Sequence, residues 1–373
     1  MNIINNNSIN ELTEYLPSNW KQLAVETKAF TRSRNIKTPE DLLALNMLYI
    51  TNDGSFQMAS NMMKMTRGIS VNKNAAYKRI TESGQWLRAM AEDLCKMQGA
   101  MIEKPTFLSG KNVKLIDASD ETTKGKDKTT WRLHYVFDLF EFSCTHMELT
   151  TNKEGEKLTR YTLSTINKDD IIIADRVYCT MSGIEHLKAH EADFVLRFKS
   201  KAFILYDKEG NRIDLLSYIK HQSLTAFENT DIHCFYKLQT GELRPLRIVA
   251  MKKDKAAIDE SKRKIERKVS KKQEKAVQLD TVELNEYVVL ATSLGCEQSL
   301  NCEQSLSYTS EQILELYRAR WQIEQVFYRL KSLFGYGDVP SKNEKTVKAW
   351  FYGKLFLAAL CESILKQEDS FSP

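Results

Sequence analysis

The chain has 373 residues, 42% of them apolar and 28% charged, with a formal net charge of +5. That length holds two or three domains, and the balance excludes a collagenous, low-complexity or largely disordered chain. No apolar run reaches ~18 residues, no basic-then-apolar leader opens the chain, and the seven cysteines include no Cys-x-x-Cys pair, so the expectation is a reduced, cytoplasmic protein without a membrane span.

Residues 1–108 read as an all-helical domain. In NELTEYLPSNWKQLAVETKAF the apolar residues recur at helical spacing around a break at Pro17. After the Asn52-Asp53-Gly54 turn two further helices are expected, with Gly68 between them and Ser70 or Asn72 capping the second. This is the outline of a helix-turn-helix, which would aim Asn74, Lys78 and Arg79 at DNA. Two helices joined at a glycine also occur in any helical domain.

From Asn112 the texture changes to strands. VKLID, Val113–Asp117, is a short apolar run ending in an acid, and Thr129–Phe140 and Phe142–Thr150 read as two more strands of an antiparallel meander. A buried strand, Ile171 onward, ends in Asp175. A helix over Ser182–Ala192 and a strand over Asp193–Lys199 follow. Asp117 and Asp175 thus stand at strand ends, with Asp120 and Glu121 as spares for the first. Turns favour Asp for ordinary reasons, so either one alone also reads as a turn residue.

Residues 201–284 interrupt this pattern. Hairpin turns are expected around Gly210-Asn211 and Gly241. Between Lys252 and Lys275 there are eleven Lys or Arg against five Asp or Glu, which reads as a basic helix, either following phosphates or simply solvated. Glu286–Leu294 restores a core strand. Ser310–Phe334 then reads as one helix stopped by Gly335. Its apolar stripe is Leu316, Ile323, Phe327, Leu330 and Phe334. Along one edge of that stripe lie Tyr317, Arg320, Glu324 and Lys331. An amphipathic helix, about Thr346–Leu365, comes last. Taken together, the fold class is α/β: an RNase H-like core, 109–200 and 285–373, interrupted by a β-rich insertion and preceded by the helical domain.

The spacing Tyr317-x2-Arg320-x3-Glu324-x6-Lys331 resembles the Tyr-Arg-Glu-Lys signature of bacterial insertion-sequence transposases. Ala174-Asp175-Arg176-Val177-Tyr178 is similar to that family's Ala-Asp-Arg-Gly-Tyr, with Val177 at the usual Gly. Asp117-Ala118-Ser119 is similar to its Asp, small residue, Ser or Thr. The insertion before the last acid resembles the insertion-sequence-four-like branch.

The resemblance implies that Asp117, Asp175 and Glu324 form a catalytic Asp-Asp-Glu triad holding two Mg²⁺ ions, with Mn²⁺ able to substitute. It implies cleavage at terminal inverted repeats of double-stranded DNA, joining of 3′-OH ends to target DNA, and a homodimer in the synaptic complex. Tyr317, Arg320, Lys331, Arg176 and Tyr178 would contact DNA, as would Lys78 and Arg79 of the helix-turn-helix. The competing readings are a non-catalytic DNA-binding remnant or regulator, and a structure-specific nuclease on the same fold. No phosphate-cradling glycine loop or G-x-S-x-G is found, so no nucleotide cofactor is expected. His186 and His190 are spaced i,i+4 but lack the H-E-x-x-H order and read as a helix face. Cys296 and Cys302 belong to a tandem CEQSL repeat, read as a loop duplication.

Overall fold

A computed structural model describes residues 11–31, 34–97, 103–123, 129–199, 202–272, 279–296, 308–333 and 339–369. Phe334, Gly335 and the second CEQSL copy lie outside the described residues. The chain forms two compact units, one of Met1–Ile102, Ala118–Gly155 and Ile323–Pro373, the other of Glu103–Asp117 and Glu156–Gln322. Both mix helix with strand or pack helices beside strands, so the fold class is α/β. Among the described residues no helix is long and apolar enough to cross a membrane.

The first unit holds helices α1 (Trp20–Glu26), α2 (Pro39–Thr51), α3 (Phe56–Arg67), α4 (Lys73–Glu82) and α5 (Gly84–Met97). Helix α2 is capped by Thr38, whose side chain accepts from the Asp41 amide, with Pro39 in the first turn. It is buried at every position from Asp41 to Ile50, as expected of a helix apolar all round. The long C-terminal helix, Glu344–Asp369, packs on α5 and α2. Gly353 allows that approach: a Cβ there would meet Ile50 Cδ1 at 2.4 Å. Strands β2 (Thr130–Asp138) and β3 (Ser143–Thr151) pair antiparallel in this unit.

The two helices expected on either side of Gly68 are α3 and α4. Ser55 caps α3, and Gly68, at φ +69°, ends it with amide bonds back to the last turn. Asn72, not Ser70, caps α4 by accepting from the Ala75 amide.

The second unit is a sheet with the order β1-β4-β5-β9-β8-β7-β6. Strands β1 (Asn112–Thr122, its residues to Asp117 in this unit), β4 (Asp170–Ala174) and β5 (Asp193–Arg197) run parallel. Helix α6 (Met181–Ala189) connects β4 to β5. All five residues of β4 are buried, as befits a central parallel strand. Strands β6 (Leu205–Tyr206), β7 (Asn229–Lys237), β8 (Leu243–Lys252) and β9 (Tyr287–Thr292) continue the sheet antiparallel. The segment between 201 and 284 therefore extends the same sheet. It also contains an unexpected helix, α7 (Leu215–His221), capped by Asp214, and the expected basic helix, α8 (Lys255–Lys272), followed by α9 (Leu279–Leu284).

Two expectations are corrected. Strand β1 does not stop at Asp117 but runs on to Thr122; what ends near Asp117 is its partner, since the pairing with β4 closes at Ile116–Ala174. The helix expected over Ser310–Phe334 is two helices, α10 (Ser310–Arg318) and α11 (Trp321–Leu333). The amide of Ala319 reaches both Glu315 and Leu316, and that of Arg320 reaches Tyr317. This tightening to i→i−3 bonds resets the helical phase without any Pro or Gly to announce it.

Candidate active site

The first pair of acids is set by strand register. Parallel pairing runs from Asn112–Asp170 to Ile116–Ala174. Asp175 is extended, at φ −77° and ψ 176°, so Asp117 and Asp175 occupy the next step of the ladder on adjacent strands. Neighbouring strands lie ~4.8 Å apart. Leu115, Ile116, Ile173 and Ala174 beneath them are fully buried, so the backbone carrying both carboxylates is rigid.

Helix α10 and the turn after it bring two partners to these acids within the same unit. The Arg320 guanidinium lies 3.5 Å from Asp117 Oδ2. The Tyr317 hydroxyl donates to Asp175 Oδ1 at 3.4 Å, and Arg320 stands 5.7 Å from the Tyr317 ring centre. The helix is well held. A capping box joins Thr309 and Gln312, Ser310 bonds to Asp231 and Arg247, and Ile313, Leu314 and Leu316 are buried. Burial, together with the Asp175 charge, pushes the Tyr317 phenol above its ordinary pKa, against the pull of Arg320 and Arg197. The phenol therefore stays protonated and donates.

The spare acids are occupied in the first unit. Asp120 takes a two-pronged bond from Arg132, at 2.6 and 2.8 Å. Glu121 is buried and accepts from Ser119 and, at 2.8 Å, from Lys331. Glu324 lies in the first turn of α11, half-buried, in that same unit. The structure thus brings together Asp117, Asp175, Tyr317 and Arg320 in one unit and Lys331 with Glu121 in the other. Among the described residues, no group of three or more His, Cys, Asp or Glu is gathered for a metal ion. The carboxylates of Asp117 and Asp175 are hard oxygen donors on a stiff base, the chemistry that suits Mg²⁺ or Mn²⁺.

The remaining predicted contacts divide. Arg176 is half-buried, with both terminal nitrogens 3.2 Å from Asn285 Oδ1. Tyr178 is only 1% exposed and is a packing residue, so its reading as a DNA contact is corrected; the short 3₁₀ turn Arg176–Tyr178 folds it inward. Val177 in that turn is outward-facing and not among the residues with positive φ, so nothing in this backbone requires the usual glycine. Asn74 and Lys78 are exposed, and Lys78 and Arg79 line a groove of about 540 Å³ with Arg34, Asn35 and Asn72. His186 and His190 each bond to backbone carbonyls, of Tyr161 and His186.

Arg197 carries charge close to Asp175 and Arg176, and Lys253 close to Arg176 and Arg197; the sequence reading missed Arg197 and held Lys253 only as one of the eleven cations of the basic stretch. Burial first, then Arg176 and Arg320, lowers the Arg197 pKa to about 10, with Tyr317 and Asp175 opposing. Burial first, then Arg197, Arg176 and Lys264, lowers that of Lys253 to about 8. The only sequence signal for Arg197 was a basic residue inside an apolar strand, DFVLRFK.

The family model described as transposase DDE domain matches residues 108–361. The putative transposase InsL for insertion sequence element IS186A of Escherichia coli (strain K12) is 27% identical over 352 residues, covering 92% of this chain and 90% of that protein. The transposase for insertion sequence element IS421 of Escherichia coli is 27% identical over 353 residues, with the same coverage. The transposase for IS231E of Bacillus thuringiensis subsp. finitimus is 22% identical over 239 residues, 63% of this chain and 50% of that one.

Proposed function

The chain belongs to the transposase DDE family, and on that premise we propose that Asp117, Asp175 and Glu324 are its catalytic, metal-holding carboxylates. As a DNA transposase it is a metal-dependent nuclease and transesterase. The observation that carries the residue assignment is the β1–β4 register, which sets Asp117 beside Asp175 with Arg320 and Tyr317 against them. Its place one step past the Ile116–Ala174 pair supports Asp117 over Asp120 and Glu121 as the first acid. Glu324 is assigned from the Tyr-Arg-Glu-Lys spacing.

The three carboxylates would hold two Mg²⁺ or Mn²⁺ ions. Bound there, the ions supply activation of the attacking water or 3′-OH and neutralisation of the leaving oxygen. The protein forms no covalent link, and its residues position and neutralise an in-line displacement. Arg320 leaves Asp117 for a phosphate oxygen, which its planar fork binds well. Tyr317 keeps Asp175 oriented by donating to one of its oxygens. Arg176 and Lys331 add charge along the DNA backbone.

The substrates in this reading are double-stranded terminal inverted repeats and target DNA, held by a dimer, with residues 1–108 docking through Lys78 and Arg79. The parallel β1, β4 and β5 and the antiparallel β2–β3 pair fit an RNase H-like core over 109–200 and 285–373, with 201–284 as its β-rich insertion.

Asp175→Asn in the full chain tests the assignment. The terminal repeat, read from DNA flanking the gene, should be bound as tightly as by wild type, while Mg²⁺-dependent nicking disappears. A wild type that never nicks makes the protein a non-catalytic regulator; nicking without joining makes it a nuclease.

A further inference from the structure

Two cations of the second unit converge on Asn285, and a third lies in charge range of both. Both terminal nitrogens of Arg176 donate to Asn285 Oδ1 at 3.2 Å. The Lys253 ammonium donates to the Asn285 carbonyl at 2.6 Å and to Ser261 Oγ at 3.2 Å. Arg197, one residue beyond the last alignment of β4 with β5 and in charge range of both, donates to the Tyr287 carbonyl at 2.9 Å. All three are half-buried.

Among the described residues, none of the three has a carboxylate at ion-pair distance. The neighbouring position shows the contrast. Lys252, which precedes Lys253 and projects to the opposite side of an extended chain, is neutralised by Glu286 at 2.8 Å; Glu286 also takes Lys262 at 3.0 Å. The surroundings therefore give one side of this strand end a carboxylate and leave the other without one at ion-pair distance. Half-buried like charges in mutual range disfavour one another, and burial and its cationic neighbours hold the Lys253 pKa well down. Neutral acceptors use only part of their donor capacity. Lys253 has three N–H groups and commits two, and each guanidinium has five.

We propose that Arg176, Arg197 and Lys253, the first and last braced by Asn285 and Arg197 by the Tyr287 carbonyl, form an anion subsite for a backbone phosphate of DNA, separate from the carboxylates and beside Asp175. A phosphodiester there would balance the three charges together and take the open N–H groups. Because Lys253 and Ser261 lie at the root of basic helix α8, the subsite also gives the segment over 201–284 a direct part in holding substrate. The choice of DNA phosphate over another anion rests on the transposase reading.

The probe is inorganic phosphate added to the full-length, metal-free protein, read as a thermal unfolding shift against chloride at matched ionic strength. Wild type should be stabilised by phosphate. Lys253→Met should weaken phosphate binding at least fivefold, Lys253→Arg should restore it, and Lys252→Met should leave it unchanged. A Lys253→Met protein that folds and keeps the wild-type phosphate shift overturns the subsite. So does a wild type that phosphate stabilises no more than chloride does. The second measurement is binding of the terminal-repeat duplex: the slope of log affinity against log salt should fall by about one for Lys253→Met. A phosphate shift in a wild type that never nicks DNA leaves the subsite standing and removes the transposase reading. Nicking with no phosphate effect does the reverse.

Discussion

The guanidinium of Arg320 lies 3.5 Å from the carboxylate of Asp117, and both side chains are about four-fifths buried, at 18% exposure each. An arginine there stands where a divalent cation would draw on the same oxygens, so it competes with metal until a phosphate draws it away. Arg320→Gln should therefore bind Mn²⁺ more tightly without DNA, by about fivefold if the pair is worth ~1 kcal/mol. The same variant should lose about a hundredfold or more in cleavage, having lost its phosphate contact. Calorimetric titration with Mn²⁺ and single-turnover nicking report the two effects. An Arg320→Gln protein that binds Mn²⁺ no better than wild type would remove the competition.

Below the acids, the β1–β4 pair is fixed by a buried charge pair. Lys114 Nζ lies 2.6 Å from Asp170 Oδ2, with side-chain exposures of 6% and 0%, and also donates to the Thr165 carbonyl. Asp170 accepts from the Asn167 amide as well. Lys114→Met leaves a carboxylate buried without its cation and should destabilise the protein by ~3–5 kcal/mol. Removing both charges, as Lys114→Met with Asp170→Asn, should recover part of that loss. Denaturant unfolding measures both. A single substitution costing under ~1 kcal/mol would show that the pair does not hold the register.

Much of this arrangement could be read from residue order. IIIAD announced a buried strand closing on an acid, and Gly68 with Asn72 announced the turn and cap between α3 and α4, because these signals are local. The break between α10 and α11 was not readable, since it comes from shared amide bonds at Ala319 and Arg320 and no residue type marks it. The inward Tyr178 was misread for a similar reason: an aromatic beside a charged residue looks alike in sequence whether its turn folds in or out. Arg197 was invisible because a lone cation in a strand has no signature, and Lys253 was not separable from the basic run that follows it. Only pairing β5 with β9, and β9 with β8, brings Arg197 to the Tyr287 carbonyl and Lys253 to that of Asn285.

On the helix-turn-helix, Asn72→Ala should cost ~1 kcal/mol by leaving the Ala75 amide uncapped. Lys78→Ala and Arg79→Ala should keep that stability and instead weaken binding to duplex DNA. If they touch phosphates, affinity falls across all sequences and each salt slope drops by about one. If they touch base edges, discrimination against a mismatched repeat falls by ~1–3 kcal/mol per contact with the salt slope kept. Fluorescence anisotropy against salt, with matched and mismatched duplexes, separates these outcomes. Unchanged binding in both variants would place the DNA face elsewhere.

Lys253 makes the phosphate subsite pH-dependent, and the sign follows from its lowered pKa. Its ammonium sits among Arg197, Arg176 and Lys264, with Ser261 Oγ and the Asn285 carbonyl as neutral acceptors. In the free protein it is protonated below about 8 and neutral above. An anion binds the protonated form, so phosphate affinity should fall as pH rises through about 8, with proton uptake on binding above that point. Stability should run the other way. Between about 8 and the ordinary lysine value near 10.5, the unfolded chain holds a proton that the native Lys253 has released. Unfolding is then increasingly disfavoured as pH rises across that window. Lys253→Met should flatten both profiles while Lys252→Met, whose site is balanced by Glu286, should leave them in place. A phosphate affinity independent of pH from 7 to 9.5 in wild type would show that Lys253 does not face the bound anion.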